Sequence, residues 1–183
     1  MSSRLVFLLE EPSMKDLLES WMPRQFPGVE FLCIPHQGKS DLDKSIPRKL
    51  AAWQIPGDRF IIVRDNDGAD CLAVKQRIHS LCKARPDTLI RLVCQELEGW
   101  YLGDLAALAA AYPDSKVDTP KLRKRFSDPD QWQKPSHEVE RLVPEFQKRQ
   151  AARKMGEQLD RDRNTSSSYL IFVAGIQRVV NQA

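Results

Sequence analysis

Apolar runs rich in β-branched residues alternate with segments of helical periodicity through the first two thirds of the chain. The runs with the length and composition of buried strands cover residues 4–9, 31–34, 60–63 and 89–93. Between them, apolar residues recur every three to four positions, which is typical of helices packed on a sheet. This alternation predicts βαβ units and a mainly parallel, Rossmann-like sheet flanked by helices, an α/β fold.

The helical segments are bounded by prolines, glycines and polar loops. We predict helices from residue 12 to before Pro23 and Pro27, from about residue 43 to before Pro56, over 71–83, and over an Ala/Leu-rich segment ending near residue 112. Residues 35–43, which contain Gly38 and Lys39, have the composition of a polar loop.

The pattern changes at residue 113. A proline-spaced polar stretch comes first, followed by helix-like segments around 139–143, 147–159 and 167–180, without a strand pattern or an internal repeat. We therefore predict a single domain overall. It comprises an α/β core over residues 1–112 and a helical C-terminal extension over 113–183 that packs on the core.

Composition and the first residues bear on the class of protein and its expected location. The chain has 42% hydrophobic and 29% charged residues, as in globular proteins, and no apolar run reaches the roughly 18 residues that a membrane span needs. The first residues lead straight into a predicted strand without the parts of a signal peptide, so we expect a cytoplasmic location. The four cysteines lack CxxC spacing and are expected to be reduced thiols, without zinc or disulfides.

Carboxylates follow three of the predicted strands at the points where those strands end. They are, in chain order, Glu10, Glu11, Asp65, Asp67, Glu96 and Glu98. Ligands of open α/β sheets bind beyond the carboxyl ends of the strands, so we expect these side chains to converge. Because close carboxylates repel one another, and because Mg²⁺ and Mn²⁺ prefer oxygen ligands, the sequence predicts a divalent metal site at this edge.

Asp65 and Asp67 are two residues apart. On an extended segment their side chains point the same way and can share one cation, while Gly68 lets the chain turn away. The same pattern is common in capped, solvated loops, so the pair alone indicates either arrangement.

Several stretches resemble the Toprim-like domain-of-unknown-function family numbered 4276, and together they span nearly the whole chain. They are LLEEPS, the Gly38-Lys39 loop, VRDNDG, CQELEGWYLGD, PSHEVERLVPEFQK and NTSSSY. A strand ending in Glu and a later strand ending in Asp-x-Asp also resemble the wider Toprim domain of topoisomerases, primases and metal-dependent nucleases. The resemblance implies that Glu10 acts in acid/base or metal chemistry and that Asp65 and Asp67 bind Mg²⁺.

One residue departs from the wider Toprim pattern, in which Gly usually follows the glutamate. Glu11 occupies that position here, so the choice between Glu10 and Glu11 stays open, with Glu10 favoured. Glu96 is preferred over Glu98 as a further ligand because it is nearer the strand end. Lys39 is a candidate catalytic contact to a phosphate or to developing charge, with an ordinary loop lysine as the equal alternative.

The basic residues and the histidines are weaker indications of function than the carboxylates. The net charge of +3 does not by itself indicate a nucleic-acid binder. Two basic clusters are candidates for nucleic-acid contacts, although solvated helix faces look the same. Their residues are Lys121, Arg123, Lys124, Arg125, Lys148 and Arg149. His36 and His137 lack a second histidine at ligand spacing and are expected to be surface or hydrogen-bonded residues.

Two functional hypotheses remain in view. The first is a Mg²⁺-dependent Toprim-like nuclease that hydrolyses DNA or RNA, and the resemblance implies a phage-defence setting. The alternative is a non-catalytic nucleic-acid-binding or effector subunit working with an ABC- or SMC-like ATPase, since the chain has no P-loop of its own. A haloacid-dehalogenase-type motif at Asp65 is disfavoured, because it follows the third strand and has Ala69 where Thr is expected.

Overall fold

The computed structural model describes residues 4–182, so the domain limits predicted at residues 1 and 183 lie outside the described part. Its sheet has the parallel strands β1 (Leu5–Leu9), β2 (Phe31–Pro35), β3 (Arg59–Asp65) and β4 (Leu89–Val93), in the order β2-β1-β3-β4. The predicted α/β fold with a parallel sheet is confirmed.

Helices surround the sheet and make up the chain after β4. They are α1 (Pro12–Gln25), α2 (Lys39–Ala52), α3 (Cys71–Leu81), α4 (Glu98–Leu102), α5 (Leu105–Ala111), α6 (Pro120–Arg125), α7 (Pro135–Leu142), α8 (Lys148–Gln158) and α9 (Ser167–Asn181), with short 3₁₀ turns at Pro113–Ser115 and Pro129–Gln131. Within residues 4–182 no strand follows β4, so the C-terminal part is helical. The four cysteines form no disulfide in the described part of the chain. No helix in the described range is long and apolar enough to cross a membrane.

The strands are buried on both faces, and their side chains alternate between two cores. Phe7 and Ile61 face a large core completed by α1, α8 and α9. Leu8 and Ile62 face a smaller core beneath α2 and α3. Because successive strand residues point to opposite faces, this alternation also decides which side of the sheet each residue at the strand ends faces.

The strand order places a crevice between β1 and β3. From β1 the chain moves outward to β2, and β3 and β4 then extend the sheet in the other direction. In open α/β sheets ligands bind at this reversal, outside the carboxyl ends of the strands. Glu10 directly follows β1, and Asp65 is the last residue of β3.

Helices α2 and α1 have limits that differ from the predicted ones. Helix α2 begins at Lys39 rather than near residue 43, because Gly38 adopts φ 99°, a conformation open to glycine, and turns the chain directly into the helix. Helix α1 continues through Pro23 to Gln25. The proline lies in the last turn, and the cap residue Phe26 still donates its backbone N–H to the Met22 carbonyl.

Gly156 sets the close crossing of α8 over α1. A Cβ atom at this position would lie 2.4 Å from the Leu17 carbonyl oxygen and 2.9 Å from the Ser20 Cβ. We expect Gly156→Ala to lower the free energy of unfolding by about 1–3 kcal/mol, because the two helices must separate. Urea unfolding measures this loss. Gly99→Ala, whose added Cβ would meet nothing closer than 3.5 Å, is the control, and equal stability of both variants would contradict the tight crossing.

Candidate acidic site at the sheet edge

Glu10 connects β1 to β3 at the crevice. Its side chain is largely buried, with the residue 8% exposed, and its Oε2 accepts the Asp65 backbone N–H at 3.0 Å. Burial raises the pKa of Glu10, although that hydrogen bond and the positive charges of Arg64 and Lys39 oppose the rise. Of the two glutamates left open by the sequence, Glu10 is the one that lies between the strands.

Glu11 is the residue before α1, and its carboxylate faces helix α8. It accepts a hydrogen bond from the Ser13 hydroxyl at 3.2 Å and pairs with the Lys148 ammonium at 2.5 Å. Lys148 is the first residue of α8, so the crossing of α8 over α1 delivers this cation to the site. No local sequence pattern indicates this contact, and the sequence predicts Lys148 only as a nucleic-acid contact.

Asp65 carries the most strongly shifted carboxyl group of the site. The residue as a whole is half-buried, and burial together with the negative charges of Glu10, Glu98 and Glu11 raises its pKa well above the usual range. Lys148 opposes the rise. This shift favours the protonated form of Asp65 more than in an ordinary aspartate, and a further cation would oppose it.

Glu98 is the first residue of α4 and is 1% exposed. Its Oε1 has no hydrogen-bond partner among the described residues, and burial raises its pKa to about 7. The hydroxyl of Tyr101, one turn further along, is also buried and without a partner in the described part of the chain. Two buried polar groups thus lack the partner that such groups normally have.

We call Glu10, Glu11, Asp65 and Glu98 the acid cluster. Burial opposes the charge of Lys148, but its hydrogen bond to Glu11 and the negative charges of Glu98 and Asp65 raise its pKa. Lys148 thus remains charged beside Glu11, Glu98 and Asp65, while Arg64 and Lys39 act on Glu10. These cations do not fully offset burial, since the pKa values of Glu10, Asp65 and Glu98 stay raised, so protons or a further cation would stabilise the cluster.

Asp67 lies apart from the acid cluster. The extended conformation ends at Asp65, and Asp67 adopts φ 46°, in the left-handed region. Its carboxylate pairs with the Lys39 ammonium on the side of the sheet covered by α2 and α3. The expectation that Asp65 and Asp67 point the same way therefore differs from the structure, because the argument required a strand that continued to residue 67.

Glu96 is also held elsewhere. It accepts the Ser136 backbone N–H at 3.0 Å and a hydrogen bond from Lys134 at 3.3 Å. Burial opposes these contacts, but they prevail and lower the pKa of Glu96. Gln95, with φ 62°, turns the chain so that Glu98 reaches the cluster instead. Nearness to the strand end led to the prediction of Glu96 as the further ligand. In the structure the Glu96 carboxylate instead binds the backbone at the start of α7.

Most of the candidate nucleic-acid contacts form ion pairs within the chain. Arg149 binds Asp16 at 2.6 Å. Arg123 pairs with Asp118 at 2.5 Å, and Arg125 with Glu138 at 2.8 Å. Lys121 and Lys124 are exposed on α6. Contact between these residues and nucleic acid stays a prediction.

The two histidines have the surroundings that the sequence predicted. His36 is buried, and its Nδ1 lies 2.9 Å from the Leu9 carbonyl oxygen, so it is a hydrogen-bonded residue. His137 is exposed on α7.

The donor chemistry of the acid cluster suits a hard divalent cation. Its carboxylate oxygens are the ligands that Mg²⁺ and Mn²⁺ prefer, and the Glu98 Oε1 lacks any other partner in the described chain. As the side chains stand, however, no three His, Cys, Asp or Glu residues within 4–182 are grouped closely enough to hold one ion. The predicted metal site thus has suitable carboxylate oxygens, but these side chains do not converge on one point.

Comparison with known proteins yields a family model that matches residues 9–176, described as a domain of unknown function, DUF4276. The match spans the acid cluster and most of the helical C-terminal part. No curated protein and no solved structure matches the chain significantly.

Proposed function

Since the chain belongs to the DUF4276 family, we propose from its site chemistry that it is a Toprim-like, Mg²⁺-dependent nuclease that hydrolyses phosphodiester bonds of DNA or RNA. The proposal rests above all on the acid cluster at the crevice between β1 and β3. There a buried Glu98 oxygen has no partner in the described chain, and raised pKa values disfavour the charged carboxylates. A divalent cation would relieve this repulsion directly.

Glu10, Asp65 and Glu98 are the residues that would hold the cation, with Mn²⁺ as a substitute for Mg²⁺. A bound Mg²⁺ would supply Lewis acidity toward a phosphoryl oxygen and toward water. Lys148 would stay beside Glu11 as a second positive charge near the developing negative charge of the phosphoryl group. Lys39, close enough to lower the pKa of Glu10, would contact the substrate from the other side of the sheet.

A cleavage assay tests the proposal. Plasmid, single-stranded DNA and tRNA are incubated with wild type and with Asp65→Asn in Mg²⁺ or Mn²⁺. We expect metal-dependent cleavage of at least one substrate by wild type and its loss in the variant. Identical behaviour of the two proteins on every substrate would refute the nuclease proposal.

A second candidate is a non-catalytic nucleic-acid-binding or effector subunit that works with an ABC- or SMC-like ATPase. It is favoured by the observation that no three potential ligands in residues 4–182 are grouped around one point. Size-exclusion chromatography of the co-expressed pair tests it. A stable complex with a neighbouring ATPase, together with cleavage by neither protein alone nor by the pair, would favour this function over the nuclease.

A further inference from the structure

A second feature of the sheet edge lies beside the acid cluster, on the side covered by α2 and α3. Helices α2 and α3 flank a cleft of about 800 Å³ beyond the end of β3. We call it the α2–α3 cleft. Its charged lining consists of the basic residues Lys39, Lys44, Arg64 and Arg77 and the acidic residues Asp43 and Asp67. The basic side chains outnumber the acidic ones, so the cleft is suited to an anion.

Arg64 connects the cleft to Glu10 of the acid cluster. Its side chain is only 5% exposed, and its Nη1 donates to Asp43 at 3.1 Å on the cleft side. Its Nε lies 4.0 Å from the Glu10 Oε2 of the acid cluster. An anion in the cleft and a cation among the carboxylates would therefore be neighbours across one guanidinium group.

The ion pairs inside the cleft can be exchanged at little cost. Arg77 shares Asp43 with Arg64, but the Arg77 side chain is 59% exposed. Lys39 pairs with Asp67, and both side chains are more than a third exposed. Exposed ion pairs contribute little stability, so a phosphate oxygen can replace either carboxylate. Lys44 is exposed and forms no ion pair in the described part of the chain.

We propose that the α2–α3 cleft binds the backbone phosphates of the nucleic-acid strand and presents the adjoining phosphodiester to the acid cluster. The inference rests on the proposed function for the reaction but concerns binding alone. Arginine and lysine bind phosphates through charge-assisted hydrogen bonds, and such contacts position a strand without reading its sequence. This assignment places the principal contacts on α2, β3 and α3 rather than on α6 and α8.

The test measures binding without cleavage. A fluorescein-labelled single-stranded DNA of about 20 nucleotides is titrated in EDTA, and its anisotropy is followed from about 50 to 200 mM salt. For Lys44→Ala/Arg77→Ala we expect Kd to rise about tenfold or more at the lower salt concentration. The salt slope should fall by about 1.4, because two single-strand phosphate contacts are lost.

Two further variants test whether binding depends on the cleft rather than on the total charge of the protein. Lys49→Ala/Lys83→Ala removes the same charge from the last turn of α2 and from just beyond the end of α3, and its Kd should stay within about twofold of wild type. Asp43→Asn removes the carboxylate that Arg64 and Arg77 share, and it should tighten binding.

Three results would overturn the assignment to the cleft. They are no binding by wild type, equal loss in both double variants, or a loss on Lys121→Ala/Lys124→Ala with none in the cleft variant. Cleft-dependent binding without cleavage in Mg²⁺ would instead refute only the nuclease proposal. The two proposals therefore fail separately.

Discussion

Asp65→Asn is expected to lower Mg²⁺-dependent cleavage at least about 100-fold while leaving the protein folded. The substitution keeps the shape of the side chain and removes a charge that the cation needs. The fold should tolerate it, because burial and the charges of Glu10, Glu98 and Glu11 already favour the neutral form of Asp65. Initial cleavage rates and urea unfolding at pH 8 measure the two effects.

Asp87→Asn is the matched control for this variant, since Asp87 is exposed and lies before β4, at the opposite end of the sheet. Its cleavage rate should equal that of wild type. Asp67→Asn should reduce cleavage less than Asp65→Asn, because Asp67 pairs with Lys39 outside the acid cluster. A larger loss in Asp67→Asn than in Asp65→Asn would show that the metal lies on the α2–α3 side.

Glu98→Gln should stabilise the protein at pH 8 by up to about 3 kcal/mol, since burial raises the pKa of Glu98 from 4.5 to about 7. Below pH 4.5 the carboxyl group is protonated in both folded and unfolded chains, so the variant should match wild type. Between pH 4.5 and 7 the unfolded chain loses the proton and the folded chain keeps it. Wild-type stability therefore falls with rising pH, and the neutral glutamine avoids this fall.

Glu96→Gln, in the same part of the chain, is expected to change the stability at pH 8 in the opposite direction. Despite some burial, the contacts to Ser136 and Lys134 lower the pKa of Glu96, so its charge stabilises the fold above its ordinary pKa. That stability is lost as pH falls through the folded value. Glu96→Gln should therefore be less stable than wild type at pH 8 and equal to it in acid. Urea unfolding from about pH 3 to 8 compares both variants. A destabilised Glu98→Gln at pH 8 would contradict the unfavourable burial of the Glu98 charge.

The sheet was predictable because strands buried on both faces need unbroken apolar runs. Residues 60–63 form such a run, and the change to Arg64 and Asp65 marks its end. The position of the crevice was also predictable, because parallel strands bring their carboxyl ends to one edge of the sheet. Glu10 and Asp65 could therefore be placed together from the sequence.

The arrangement of the other carboxylates could not be predicted in the same way. It depends on left-handed backbone conformations at Asp67 and Gln95, which non-glycine residues adopt only a few per cent of the time. The arrival of Lys148 depends on how α8 crosses α1, with Gly156 against the Leu17 carbonyl. That contact joins residues more than a hundred positions apart, so a local sequence pattern cannot indicate it.

Calorimetric titration of Mg²⁺ or Mn²⁺ into the wild-type protein at pH 7, repeated in buffers of different ionisation enthalpy, tests the acid cluster most directly. Burial raises the pKa values of Asp65 and Glu98 and a bound cation favours their charged forms, so binding should release protons. Asp65→Asn should lower both the affinity and the proton release. No binding at millimolar cation, or binding that releases no protons and is unchanged in Asp65→Asn, would contradict a metal site in the acid cluster.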